Sequence, residues 1–550
     1  MILSAQDLTG PEALSADICI VGAGAAGIAL ALALGDAGRD VLLVEAGGTR
    51  HDAAVQDAYR GTVTDPALHP PLDEYRERRL GGSTTIWGGR CMPLDPIDFE
   101  PRNWIPESGW PIGPEALAPY YPKANALCEA GAFDYRADTA LRPGARPMIA
   151  GFRGTHFSTD RLERFSCPTD FGTRYRDRLA ASPRIRLLLD AAVADIRLDP
   201  DGTWVEALDL RRRDGTPIAV SARQFVLCAG GLETARLLLA SRTVHPNGIG
   251  NHHDVLGRYY MSHLAGTIGS FVPAGGRDAV WHGYDVAEDG TYCRRRLALA
   301  EDAQRAHRIG NFVARLHHPR IADPSHGTGP LSALMLGKAL VPRRYRARLA
   351  DDDGDAGLGR LLHHALNVAR QPLAVARFAT TMLVGRRFAT RKYPSVVVVP
   401  RNGRYSLDFH AEQQPNRDSR VYLGTDRDAW GMPRLVADWR HAPGDIETVR
   451  VALALLAEDL ERSSCGRFTY DPDSVAAEVM RYGAYPGHHI GTARMGTDPR
   501  TSMVDGDGRV HGIANLHLAG AAVFPTSSQA NPTLTAVALA LRLADRLAAA

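Results

Sequence analysis

Two adjacent histidines, His488 and His489, stand in the segment GHHIGTARMG that runs from Gly487 to Gly496. Imidazole is the side chain best placed to take a proton near neutral pH, so this pair marks the first stretch whose residue types suggest chemistry. In extended backbone, neighbouring side chains point to opposite sides. One of the two therefore faces a given cleft, and the spacing alone does not say which. Downstream, ANPTLTAVALALRLADRL opens with Asn531 and Pro532, a favoured helix cap followed by the residue best tolerated in a first turn. The apolar period behind them predicts a long helix, whose start presents free N–H groups and a partial positive charge.

Other elements must hold such groups against something. ADICIVGAGAAGIALALALGDAGRDVLLVEAGG places the apolar run Ile18 to Val21 before Gly22-x-Gly24-x-x-Gly27, then an alanine- and leucine-rich helix beginning near Ala25 and Ala26, then Val41 to Val44 ending at Glu45 and Ala46. Strand, tight turn, helix and parallel strand in that order set a pyrophosphate against a helix N-terminus. The first two glycines permit the turn and close backbone approach, the third lets helix and strand touch, and the Glu45 carboxylate is placed to accept ribose hydroxyls. The same unit accounts for the uncharged run Ile18 to Gly35, whose eighteen residues are borderline for a membrane span.

A second glycine-rich loop, RRLGGSTTIWGGRCMPLDPIDF from 78 to 99, is suited to passing backbone along a flat ligand. At these residues the sequence resembles the glucose-methanol-choline (GMC) oxidoreductases, FAD-dependent enzymes that oxidise alcohols. The resemblance continues through FVLCAGGLETARLLLAS, VLGRYYMSH, HAEQQPNRDSRVYL and the tail from Gly487, leaving 265 to 400 without a matching motif. It implies an α/β fold: a Rossmann-type FAD domain assembled from 1–100, 184–265 and 480–550, and an α+β substrate domain with a mainly antiparallel sheet from 101–183 and 266–479. Within the FAD domain, RIRLLLDAAVADIRLD, RQFVLCAG and NLHLAG read as strands of the dinucleotide sheet, and RYSLDFHAEQQP and SRVYLG as strands of the substrate sheet.

The resemblance also implies site residues. FAD contacts fall at Gly22, Gly24, Ala25, Ala26, Gly27, Glu45 and Ala46; at Gly81, Gly82, Ser83, Thr85, Ile86, Trp87 and Gly88; and at Val193, Ala229, Gly230, Gly520, Ala521, Pro532 and Thr533. The helix starting at Pro532 would point at the flavin and stabilise charge developing on it. The family pattern His-x-x-Gly-Thr-x-Arg-Met-Gly makes His488 the base and turns His489 away, with Asn531 as its partner. That pairing is most similar to the pyranose 2-oxidase-like branch. Some relatives link flavin through a histidine where this chain has Ile86, so FAD is expected to be non-covalent. Arg90, Glu412 and Gln414 are candidates to line the substrate cavity, favouring a sugar, glycoside or polyol. A flavin-bearing lyase of the hydroxynitrile type, oxidation of a non-sugar alcohol and a plain NAD-binding module are the alternatives. Oxygen, a quinone or a dye is the expected electron acceptor.

Composition narrows the rest. Lysine and arginine number 64 against 62 acids, which gives no charge argument for nucleic acid. VPRRYRARL (341–349), followed at once by DDDGD, reads as a solvated helix face. Seven cysteines without a CxxC pair read as reduced thiols rather than a disulfide frame or metal site. With an N-terminus lacking a basic signal region, the expectation is a cytoplasmic protein.

Overall fold

The computed structural model describes residues 1–8, 12–338, 357–484 and 487–549; the basic run 341–349 and the acids after it lie outside them. The strand Glu12–Val21 pairs in parallel with Val41–Val44, in register from Ile18 opposite Val41 to Val21 opposite Val44. On its other side it pairs in parallel with Pro217–Leu227, which carries Leu516–Leu518 beyond it. Ile185–Leu189 and Ile2–Ser4 continue one edge, and Val205–Arg211 with Ala192–Leu198 adds an antiparallel flank at the other. Val41–Val44 is buried throughout, the mark of a parallel strand covered on both faces. Segments far apart in sequence thus meet in one eight-stranded sheet. The uncharged run Ile18 to Gly35 is divided into strand, turn and the helix Ala25–Asp36, which packs against the C-terminal helix Thr533–Ala549.

Gly22, Glu45, Ala229 and Gly520 follow the C-terminal ends of four parallel strands and line one cavity. Open α/β sheets bind their ligands at this end.

A six-stranded sheet, ordered Gly466–Thr469, His263–Pro273, Tyr405–Glu412, Phe312–His317, Leu297–Leu299 and Phe157–Ser158, has antiparallel pairs throughout. It gives Ala265, Thr267, Arg315, His317, Asp408 and His410 to the cavity wall. A small four-stranded sheet pairs Arg90–Cys91 with Leu162–Phe165 and sets Arg294 opposite Glu163. SRVYLG departs from expectation. The strand Arg420–Arg427 pairs with Pro433–Asp438 and Thr62–Val63 in a separate three-stranded sheet, packed on the dinucleotide-side helix Gly230–Ala240. The alternation was that of a strand, but an alternating pattern does not say which sheet takes it.

Candidate active site

The two glycine loops are tied together. Gly81 N–H donates to the Ala23 carbonyl at 2.8 Å, and a Cβ on Gly82 would stand 3.1 Å from the Gly24 Cα. Gly22 has φ +101°, and Gly27 lies so close to the turn that a Cβ would meet the Gly22 carbonyl at 1.9 Å. Gly27, Gly81 and Thr85 accordingly shape these loops from behind and do not line the cavity, whereas Thr84 does. The other expected FAD residues, from Gly22 to Thr533, all line it.

Glu45 is buried, and burial pushes its carboxyl up against the pull of the Gly47 and Ala23 N–H groups and Arg78. Those N–H donors sit at 3.0 and 2.9 Å. Each carboxylate oxygen keeps a further lone pair for a ribose hydroxyl. The residues fit a dinucleotide cofactor on two further observations. A Cβ placed on Gly24, Gly88, Gly230 or Gly520 would meet nothing within 4 Å, so these cavity-lining glycines border open space. Arg78, beside Glu45 on the wall, has buried Nε and Nη1 atoms without a hydrogen-bond partner. The cavity measures about 1060 Å³, at the top of the ~300–1,000 Å³ range of small-molecule sites, and holds room for cofactor and substrate together.

His488, His489 and Asn531 all border this cavity. His488 Nδ1 lies 2.7 Å from His263 Nδ1, and its Nε2 lies 3.2 Å from Asn531 Nδ2. His263 Nε2 is 3.1 Å from the Ser527 carbonyl. A carbonyl only accepts, so His263 carries its proton on Nε2. Burial holds His263 down at about 4, so it is neutral and its Nδ1 is a lone pair. His488 must then donate from Nδ1, and in the neutral imidazole Nε2 is the acceptor. A second chain reaches the same atom from the other side. Arg90 Nη1 approaches Asn531 Oδ1 at 3.5 Å, and a guanidinium only donates. The Asn531 amide therefore turns Nδ2 toward His488 Nε2. Two anchors, one that can only accept and one that can only donate, converge on a lone pair at His488 Nε2.

His489 belongs to another chain. His69 Nδ1 donates to the Pro70 carbonyl at 2.6 Å, Tyr260 O–H donates to His69 Nε2 at 2.7 Å, and His489 Nδ1 donates to Tyr260 at 2.7 Å. Burial drives the His489 imidazolium well below the usual range. His489 thus turns from Asn531 but still borders the cavity, so it does not face away from it altogether.

Asn531 is not the helix cap. The Pro532 carbonyl accepts the first helical bond, from Ala536 at 2.9 Å, so the cap position belongs to Pro532. The Asn531 side chain is spent on His488 and Arg90.

Around Arg90 stands a charged cluster. Its Nε is 3.5 Å from Glu163, which also faces Arg296 at 3.4 Å and Arg315 at 2.8 Å. Burial raises the Glu163 carboxyl, but Arg315, Arg90 and Arg296 outweigh it and hold it at about 2. Burial, with Arg315 nearby, lowers Arg90 to about 10, so it stays charged. Arg294 borders the cavity with its Nε unpartnered and no carboxylate in ion-pair range among the described residues.

Glu412 and Gln414 are corrected by the structure: neither lines the cavity. Glu412 is fully buried in a two-pronged bridge to Arg102, at 2.7 and 2.5 Å. The Gln414 backbone N–H is held by Asp445 at 2.7 Å, and its side chain lies against Gly444. The even-numbered strand face does reach the cavity, but through Asp408 and His410. His263 closes VLGRYYMSH and His410 opens HAEQQPNRDSRVYL, and only the fold brings both rings beside His488. Arg90 Nη1 donates to His410 Nε2 at 3.4 Å, so the His410 proton sits on Nδ1, buried without a partner.

Dinucleotide cradle, histidine and amide meet in one cavity, an arrangement that fits an FAD-dependent oxidoreductase acting on alcohols. Comparison with known proteins agrees: residues 415–540 match the family model described as GMC oxidoreductase. It is 25% identical to 6'''-hydroxyparomomycin C oxidase of Streptomyces lividus over 97% of this chain and 91% of that one. It is 24% identical to the fructose dehydrogenase large subunit of Gluconobacter japonicus over 98% of each. Among solved structures, pyridoxine 4-oxidase from Mesorbium loti superposes with a TM-score of 0.53 at 19% identity, covering 96% of this chain and 99% of that one.

Proposed function

We propose that the protein oxidises a hydroxyl, most simply a secondary one, of a sugar, glycoside or polyol, with His488 as the general base. The observation that carries this reading is His488 Nε2, 3.2 Å from Asn531 Nδ2 with Nδ1 held on His263, in the cavity shared with the dinucleotide cradle. FAD, when bound, supplies the acceptor for the hydride that leaves the alcohol carbon. His488 Nε2 takes the hydroxyl proton, and Asn531 Nδ2 donates to the substrate oxygen and holds it in line. Arg90 keeps that amide turned the right way. His410 and Arg294 add polar side chains to the same wall.

Polar donors on the wall suit a polyhydroxylated substrate, and the name of the Gluconobacter relative, fructose dehydrogenase large subunit, is in keeping with a neutral one. Charge sharpens the reading. Arg90, Arg296 and Arg315 pair with the carboxylates Glu163 and Asp408 and Arg294 adds a further charge without an ion pair among the described residues, leaving an excess of positive charge. A neutral or anionic alcohol is therefore favoured over an amino alcohol.

The test is an anaerobic screen of neutral sugars, glycosides, sugar acids and amino sugars for bleaching of the bound flavin. Bleaching by neutral or acidic members is expected. Turnover of a substrate without bleaching would instead favour non-redox lyase chemistry, and preference for amino sugars would overturn the charge reading. A second expectation concerns attachment. Ile86 borders the cavity and has no atom able to form a flavin bond, so acid precipitation should leave the yellow colour in the supernatant. Colour held in the pellet would mean a covalent link at another residue.

A further inference from the structure

Between Gly357 and Lys392 the chain carries seven arginines and lysines and no acid. It folds as the helices Leu358–Ala369 and Pro372–Leu383, the second continuing into Val384–Phe388. The first helix is inside out. Its inward side is polar: His364 Nδ1 meets Ser332 Oγ at 3.0 Å, and Asn367 Nδ2 donates to the Pro324 carbonyl at 2.9 Å. Its outward side is Leu358, Leu361, Leu362, Ala365, Leu366 and Ala369, the spacing of a single apolar stripe. The second helix half-buries Val375, Phe378 and Met382 and turns Leu373, Leu383, Val384 and Phe388 outward.

Leu358, Leu373 and Phe388 are 76%, 84% and 73% exposed. Scattered exposed leucines are ordinary, but a stripe of them marks a contact surface. The stripe is not needed to hold the helices in place. Ile321, Leu331 and Val398 form a small core of their own, joined by Leu334, Met335, Phe378 and Val396. Arg360, Arg370, Arg377, Arg386 and Arg387 are exposed on the same pair.

The charge selects the occupant. A second copy would bring the same arginine-rich helices, which carry no acid of their own, against these, and like charges would oppose the contact. An anionic lipid surface satisfies both features at once, with leucines at the acyl boundary and arginines among the headgroups. No described helix is long and apolar enough to cross a membrane, so the contact is with a bilayer surface. Phe378, Met382 and Arg386 of the second helix also line the cavity that reaches His488.

We propose that the helix pair 358–388 docks this enzyme on the surface of an anionic bilayer and sets the active-site cavity beside the lipid. The proposal stands apart from the identity of the alcohol. Its test is flotation of the FAD-loaded full chain with vesicles of phosphatidylglycerol and phosphatidylcholine, against vesicles of phosphatidylcholine alone. Binding should be roughly tenfold or more stronger on the anionic vesicles and should weaken with added salt. The Leu362→Glu/Leu373→Glu protein should keep its FAD and lose vesicle binding, while Arg377→Glu/Arg387→Glu should lose the anionic preference. Wild-type protein that does not float with anionic vesicles, or a leucine double variant that binds as well as wild type, would overturn the proposal. So would a dimer that the leucine variant dissolves while wild type ignores vesicles, since a second copy would then cover the face.

Discussion

His488→Ala protein should fold, bind FAD and stay yellow, yet its flavin should be reduced by substrate roughly 100-fold or more slowly, the scale of a positioned general base. His489→Ala should lose far less. The two side chains are neighbours in sequence but end separate hydrogen-bond chains: His488 on His263 and Asn531, His489 on Tyr260 and His69. Anaerobic rapid mixing of each loaded variant with a substrate found by bleaching separates them. The two rates exchanged would move the base to His489.

The second large effect is expected at His263, which touches no substrate in this account and acts through His488. It accepts the His488 Nδ1 proton because its own proton is committed to the Ser527 carbonyl. Which imidazole nitrogen is free depends on the bond the other makes. Without that acceptor the proton can move to Nε2, where it blocks the base. His263→Phe should therefore slow flavin reduction roughly tenfold to 100-fold, the scale known for partners that orient metal-bound histidines, with FAD retention unchanged. His263→Asn, whose Oδ1 can accept the same bond, should recover much of the rate. Equal losses in Phe and Asn proteins would assign His263 a packing role only. Because burial keeps His263 neutral down to about 4, this support should hold at neutral pH and fail in acid, once His263 protonates and can no longer accept.

Much of this arrangement is legible in the chain. Gly22-x-Gly24-x-x-Gly27 with its flanking strands announces the cradle because each feature is local, a turn, a helix start and a strand end within one short stretch. His488 and Asn531 become visible only through the family pattern, since their meeting depends on a fold that brings residues 43 apart together. Glu412 shows the limit. Its strand face is the one that reaches the cavity at Asp408 and His410, but the Arg102 that buries Glu412 lies 310 residues away. Nothing local to HAEQQP marks where the cavity ends. Asn531 shows a different limit: a cap preference is statistical, and here Pro532 takes the cap while His488 and Arg90 take the amide. The helix pair 358–388 hides its role for a third reason. It lies in the stretch 265–400 that no motif marks, and only the inward His364 and Asn367 reveal that the apolar side faces out.

Chemical rescue probes the role of His488 as the base. Imidazole is added to FAD-loaded His488→Ala protein with substrate under anaerobic conditions, and bleaching of the flavin is followed. If His488 Nε2 is the base, bleaching should be slow without imidazole and should rise in proportion to its neutral form, with little effect of imidazole on wild type. Bleaching of the unsupplemented variant at the wild-type rate would contradict the account.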